Sequence, residues 1–236
     1  MVYTSTIFVL GPSEEAPGSW CGLADETYVP AKRRFHTEYE RTKTEALVQV
    51  DEYVTRGLPL VTVMPGVVYG PGRQTEGSFI NPLIAGVARG RLGPLVGTGR
   101  QRWCFAYVAD VARGHVLAAE RGQPGARYIL GGENLAVAEF LSLAAELAGR
   151  PWRWRALPLA LAQALTLPGV LRARLGPFGS GPPLPGGPRL TPGAVAALVH
   201  SWAFSTEKAR RELGYSVTPA RRALQETLAW LQDSGH

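Results

Sequence analysis

Apolar and polar positions along the 236 residues alternate between two periods. Met1 to Leu10 (MVYTSTIFVL) is a nearly continuous run of β-branched, aromatic and apolar residues that stops at Gly11-Pro12, which predicts a buried strand. A turn-rich stretch follows to about Arg34. From His36 to Arg56 the apolar residues Tyr39, Ala46, Leu47, Val50 and Val54 recur at helical spacing, and Gly57 with Pro59 supplies a stop signal, so one long amphipathic helix is expected. Leu60 to Pro65 is a second apolar run. Strand, long helix and strand in that order predict an α/β fold whose parallel sheet is buried on both faces. Farther on, the pattern predicts a helix from about Ser78 to Val87, a Gly-rich turn from Gly90 to Gly99 and a short apolar segment from Trp103 to Val108. A helix capped by Asp110 then runs to about Glu120, followed by a strand from Ala126 to Leu130 and a helix from Val137 to Ala148. Pro177 to Pro192 is too dense in Pro and Gly for regular structure and is expected to be a mobile loop. Helices over Thr206–Leu213 and Pro219–Gln232 close the chain around Gly214-Tyr215, and no internal repeat is visible.

Composition removes several classes. The only cysteines are Cys21 and Cys104, with no CxxC pair, which excludes a disulfide scaffold and structural zinc. The apolar start lacks a basic leader, so a cytoplasmic address is expected. The net charge is +6, and only three of the 25 basic residues are lysines: Lys32, Lys43 and Lys208. From Leu147 to Thr206 there is no acidic residue, and Arg150, Arg153, Arg155, Arg172, Arg174 and Arg189 carry the whole excess. That stretch also holds Trp152-Arg153-Trp154-Arg155 and the uncharged run Ala156 to Leu171, broken by Pro158 and Pro168 and shorter than the roughly 20 residues that span a bilayer. It reads as a helical subdomain with a solvated basic face, or as a lid or groove for an apolar or anionic substrate with peripheral membrane contact through 150–175. No nucleic-acid motif accompanies the charge, and no nucleic-acid partner is expected.

The sharpest chemical signal is Tyr39-Glu40-Arg41-Thr42-Lys43. Residues four apart on a helix share one face a turn apart, so a phenol and an ammonium can enter one pocket. A cation within about 4–6 Å favours the phenolate and makes a phenol a better proton-transfer group near neutrality. The alternative is an ordinary helix-face pair. Context favours chemistry: Thr4-Ser5-Thr6 ends the preceding strand, Pro65-Gly66-Val67-Val68-Tyr69-Gly70-Pro71-Gly72 ends the next, and open α/β sheets bind ligands at the carboxyl ends of their strands.

In their order along the chain, VYTSTIFVLG, YERTK, PGVVYGPG, FAYVADVARGH, GARYILGGEN and FSTEKARRELGY resemble the extended short-chain dehydrogenase/reductase family, which includes the NAD-dependent epimerases and dehydratases. The wording is most similar to its dihydroflavonol-reductase-like branch, with farnesol dehydrogenases and hopanoid-associated sugar epimerases. The resemblance implies the C-terminal part of a Rossmann-like parallel sheet (1–72 and 101–130) plus a smaller, mainly helical substrate subdomain (73–100 and 131–236). It implies Tyr39 as acid/base and Lys43 as the residue that makes that phenol more acidic and binds the nicotinamide ribose. Thr6, five positions before Gly11, matches the hydroxyl that bonds the substrate oxygen; strand alternation sets Ser5 on the opposite face. Pro65, Gly66, Val67 and Val68 resemble the turn beside the nicotinamide, and Ser5, Thr6, Tyr69, Arg102 and Trp103 are the expected substrate contacts. The implied activity is NAD- or NADP-dependent hydride transfer on a secondary or allylic alcohol or carbonyl, with a homodimer formed through the Tyr39 helix.

Two features depart from the family. Nucleotide-sugar epimerases place an arginine seven residues before the aspartate matching Asp110; here that position is Trp103, with Arg102 beside it, which suits an apolar substrate better than a diphosphate. The GxxGxxG turn that holds a dinucleotide pyrophosphate at a helix N-terminus is missing from the sequence. The 236 residues are therefore expected to be the later, by themselves inactive, part of a longer oxidoreductase, with a catalytically dead remnant or binding module and a nucleotide-sugar epimerase or dehydratase as alternatives.

Overall fold

In chain order the elements are β1 (Val2–Thr4), α1 (Glu38–Thr55), β2 (Val61–Pro65), β3 (Val67–Tyr69), α2 (Ile80–Ala88), β4 (Leu95–Val96), β5 (Arg102–Tyr107) and α3 (Val108–Arg121). They continue with β6 (Arg127–Leu130), β7 (Glu133–Ala136), α4 (Val137–Leu147) and β8 (Ala156–Leu157). The last are α5 (159–166), α6 (Pro192–Val199), α7 (Glu207–Leu213) and α8 (Ala220–Asp233). This is a computed structural model, which describes residues 1–15, 23–30, 34–73, 80–91, 93–150, 155–166 and 192–233. The loop expected over 177–192 lies outside the described residues except for Pro192, which opens α6, and Lys32 and Cys21 also lie outside them.

The chain forms two units: Met1–Tyr69, Arg102–Leu135 and Ser201–Ala220 make the first, and Gly70–Gln101, Ala136–His200 and Arg221–His236 the second. The boundary differs from the sequence expectation at 201–220, which belongs to the first unit. Backbone bonding explains it: Trp202 donates to Arg102 and accepts from Cys104, and Ser205 donates to Ala24. Asn134 then brackets Phe204, donating to its carbonyl (2.9 Å) and accepting from its amide (3.0 Å).

In the first unit, β1, β2 and β6 form a parallel sheet in the order β1-β2-β6, as the strand-helix-strand pattern predicts. Period-two alternation sends Val61 and Val63 of β2 and Tyr128 and Leu130 of β6 to one face, where they pack with Ala118 of α3 and Ala209 and Leu213 of α7. Each such aliphatic side chain removed from water contributes about 1.5–3 kcal/mol. A second sheet runs β3-β5-β7, with β3 parallel to β5.

The same chain crosses from one sheet to the other at two places. β2 becomes β3 at Gly66, and β6 becomes β7 at Gly131-Gly132. β5 passes against both crossings. A Cβ at Gly66 would lie 2.5 Å from the Cys104 carbonyl oxygen, and Cβ atoms at Gly131 and Gly132 would strike Cys104 and Phe105 more closely still. Only glycine allows these close approaches.

Two local expectations are corrected. The first strand is short: β1 ends at Thr4, and Ile7–Leu10 form a 3-10 turn because the Thr6 side chain caps it and Gly11, at φ +84°, ends it. Asp110 is not a cap. Tyr107 precedes α3 without a side-chain cap, while the buried Asp110 carboxylate accepts the Thr218 amide (2.6 Å) and hydroxyl (2.8 Å) and pairs with Arg113. In α1 the start is well specified: Thr37 accepts the Glu40 amide at 3.0 Å, and the Glu40 carboxylate accepts the His36 amide at 3.0 Å.

The second unit packs α2 and α4 as apolar helices, and β4 pairs in parallel with β8 beside a small core of Val96, Leu157, Ala162 and Val195. The Asn81 amide donates to the Gly70 carbonyl (2.9 Å) and accepts the Gly70 amide (3.1 Å), closing backbone groups that no strand pairs.

Gly66→Ala is expected to cost about 1–3 kcal/mol by overpacking against rigid backbone, read as a lower urea midpoint. A second prediction concerns Glu26, whose buried carboxylate accepts the Ile129 amide of β6 (2.8 Å). Burial raises this carboxyl above its ordinary 4.5. Its stabilising contribution is therefore full below the ordinary value and lost as pH rises through the raised one. Glu26→Gln keeps an acceptor and never ionises, so it should melt no lower than the parent at about pH 8, with the difference shrinking toward about pH 4.

Candidate functional site

β1 lies in register with β2, Thr4 opposite Val63, and the Ser5 amide extends the ladder by donating to the Val63 carbonyl (2.8 Å). Ser5 and Thr6 thus stand at the carboxyl rim of the sheet. Thr6 is extended (φ −159°, ψ 155°), and its hydroxyl oxygen accepts the Phe8 amide at 3.4 Å. Accepting leaves the Thr6 proton free to donate. The Ser5 hydroxyl is buried without a hydrogen-bond partner among the described residues. Leaving such a group unpaired costs about 1–3 kcal/mol.

The 3-10 turn after Thr6 brings Phe8 to α1. Its ring meets Tyr39 edge-on, centroids 6.1 Å apart at 80°. Tyr39 lies in the first turn of α1 and is 50% exposed, while Lys43, one turn on, holds its ammonium 5.9 Å from the Tyr39 ring centroid. That is within reach of a cation–ring interaction. Tyr3 of β1 faces the same group: burial first and the neighbouring Tyr39 second push its hydroxyl above the ordinary range. Behind Phe8 stands Trp202, ring centroids 4.5 Å apart, with its backbone held by Arg102 (2.7 Å) and Cys104 (2.8 Å). The packing chain β5–Trp202–Phe8–Tyr39 fixes the aromatic wall of the site.

The remaining expected residues divide. Pro65 ends β2 opposite Leu130, Gly66 donates to the Leu130 carbonyl (3.1 Å), and Val67 is buried, which leaves Val68 as the exposed side chain of this turn. Tyr69 is buried with its ring 6.0 Å from Tyr107, and burial, then Glu133, pushes its hydroxyl well above the ordinary range. Arg102 is exposed and donates to the Asn134 carbonyl (2.9 Å). Trp103 is 1% exposed, 6.0 Å from the Phe105 ring. The structure therefore joins the Ser5-Thr6 turn to Tyr39 and Lys43, whereas Tyr69 and Trp103 are packed inside the first unit. Phe8, Tyr3 and Trp202 escaped the sequence reading. A Ser/Thr cap five positions before a glycine was the available signal for the turn that places Phe8.

Among the described residues no cluster of His, Cys, Asp and Glu suits a metal, and no helix is long and apolar enough to cross a membrane.

Sterol demethylase protein B of Methylococcus capsulatus is 27% identical over 236 residues, covering 100% of this chain and 67% of that protein. A putative dihydroflavonol 4-reductase of Synechocystis is 28% identical, covering 100% of this chain and 65% of the relative. The chain thus spans about two thirds of the length of these curated relatives. A crystal structure of a nucleoside-diphosphate-sugar epimerase from Pseudomonas aeruginosa superposes with a TM-score of 0.71 at 25% identity, over 99% of this chain and 67% of that one. Residues 1–131, which contain the Ser5-Thr6 turn, the Tyr39-Lys43 helix and β5, match the NAD dependent epimerase/dehydratase family, and the protein belongs to that family.

Proposed function

We propose that the chain supplies the proton-transfer half of an NAD- or NADP-dependent oxidoreductase that interconverts a secondary or allylic alcohol and its carbonyl on an apolar substrate. The observation that carries this reading is Tyr39 with Lys43 one turn away on α1, set against the Thr6-capped turn at the sheet rim. The names of relatives that act on sterols and dihydroflavonols, and the aromatic wall of Phe8 and Trp202, support an apolar substrate.

The residues present fit the nicotinamide end of a dinucleotide. Lys43 has an ammonium for ribose hydroxyls, and the unpaired Ser5 hydroxyl is an orphan polar atom at the rim. The pyrophosphate-binding glycine turn is not among these 236 residues. When bound, the nicotinamide supplies or accepts the hydride. The chain's own part is the proton. In reduction the Tyr39 hydroxyl donates its proton to the substrate oxygen, and in oxidation the Tyr39 oxygen takes that proton back. Thr6, its oxygen already used as an acceptor, donates to the same substrate oxygen and orients it.

The half-exposed Tyr39 helix also presents Val48 (52%) and Tyr53 (57%) to solvent, which supports a homodimer through α1. A nucleotide-sugar epimerase is the second reading, supported by the 25% identical epimerase structure and by the exposed Arg102 guanidinium.

In the native protein, Tyr39→Phe should lower kcat by about 10²–10⁴-fold with little change in KM or melting temperature, followed as nicotinamide absorbance with a panel of secondary and allylic alcohols. Full activity of this variant removes Tyr39 from the mechanism. Turnover of a nucleotide sugar with no net change in the nicotinamide selects the epimerase reading.

A further inference from the structure

The second unit carries a helix whose apolar side is turned the wrong way for a self-contained fold. In α5 the residue that meets the small core of Val96, Leu157 and Val195 is small: Ala162 is fully buried, and Thr166 is also buried, its hydroxyl donating to the Gln163 carbonyl (2.7 Å). The large residues face out. Leu161 and Leu165, one turn apart, are 51% and 44% exposed, and Leu159 is 39% exposed. Ala160 and Ala164 are exposed beside them, and Gln163 is the one polar member of that outer surface. Amphipathic helices ordinarily bury leucine and expose polar groups, so this face has the polarity of a surface that something apolar covers.

Charge indicates what covers it. Arg155, immediately before β8, and Arg150, after α4, are both exposed, and the sequence from Leu147 to Thr206 has six arginines and no acid. The nearest acidic residue on the N-terminal side, Glu146, is already paired with Arg221 at 2.9 Å. A second copy docked face to face would bring two acid-free, arginine-bearing stretches together, and like charges oppose that contact. An anionic lipid surface satisfies both features: it takes leucines into the acyl boundary and neutralises exposed arginines. Among the described residues no helix is long and apolar enough to cross a membrane, and α5 is suited to lying in the interface.

We infer that Leu161 and Leu165 of α5, with Arg150 and Arg155, form a peripheral docking surface for a membrane containing anionic lipid. The surface is independent of the Tyr39 chemistry, and its test reads binding rather than turnover.

The native protein is mixed with vesicles of phosphatidylcholine alone and with vesicles of about four parts phosphatidylcholine to one of phosphatidylserine, and the bound fraction is measured by flotation. Binding is expected to the phosphatidylserine vesicles and to weaken when salt rises from about 0.1 to about 0.5 M. Leu161→Ser with Leu165→Ser should weaken it at least about tenfold, while Leu161→Met with Leu165→Met retains it, which separates lost contact from lost folding. Arg155→Glu should reduce binding to the anionic vesicles. The inference is overturned by equal binding to both vesicle types, by binding to neither, or by anionic-vesicle binding that the serine pair leaves unchanged. It is equally overturned if the serine pair abolishes a concentration-dependent self-association while vesicles bind nothing.

Discussion

The structure of the first unit depends on the room around β5. Two neighbouring strands each leave one sheet and enter the other, and both do so where β5 runs past them. At those crossings a Cβ on Gly66 or Gly132 would strike the β5 backbone and one on Gly131 the Cys104 side chain, so none of the three has space for a side chain. Close packing of this kind transmits position. β5 in turn holds Trp202 by two backbone hydrogen bonds, Trp202 supports Phe8, and Phe8 meets Tyr39. The geometry of an exposed phenol on α1 is thus tied to glycines far from it in sequence.

A functional consequence follows from how the polar groups at the rim are spent. Most buried polar groups in this unit are satisfied: Asp110 binds both polar groups of Thr218, Asn134 brackets Phe204, and Glu26 takes the free Ile129 amide at the sheet's far side. Ser5 is the exception among the described residues, and Thr6 uses its oxygen but not its proton. Unspent hydrogen-bonding capacity next to a half-exposed phenol and an ammonium is what a site for an oxygen-bearing substrate requires.

The two units divide the molecule's chemistry. The first is built on parallel strands and buried aromatic rings and carries the Ser5-Thr6 turn, Tyr39 and Lys43. The second carries an apolar helix surface within an arginine-rich, acid-free stretch. An apolar substrate and a lipid-facing surface are compatible, since a molecule that partitions into lipid is met at the interface; neither reading depends on the other.

Much of this protein was legible along the chain. The period of the apolar positions is local information, and it located α1, β2, α3, β6, α4 and both closing helices to within a few residues. The four-residue spacing of Tyr39 and Lys43 follows from helix geometry alone, so their shared face needed no tertiary knowledge. Tertiary structure decided the rest, because the deciding contacts join residues distant in sequence. Ile7 to Leu10 has strand composition, yet a threonine cap and a glycine stop turn it into a 3-10 turn that aims Phe8 at α1. Asp110 looks like a helix cap and instead ties down Thr218, more than a hundred residues later. Trp103 stands where the family's arginine would meet a substrate, but its burial comes from β5 packing that no local pattern encodes. The need for glycine at 66, 131 and 132 was equally silent, since a close approach exists only once the strands that make it are assembled.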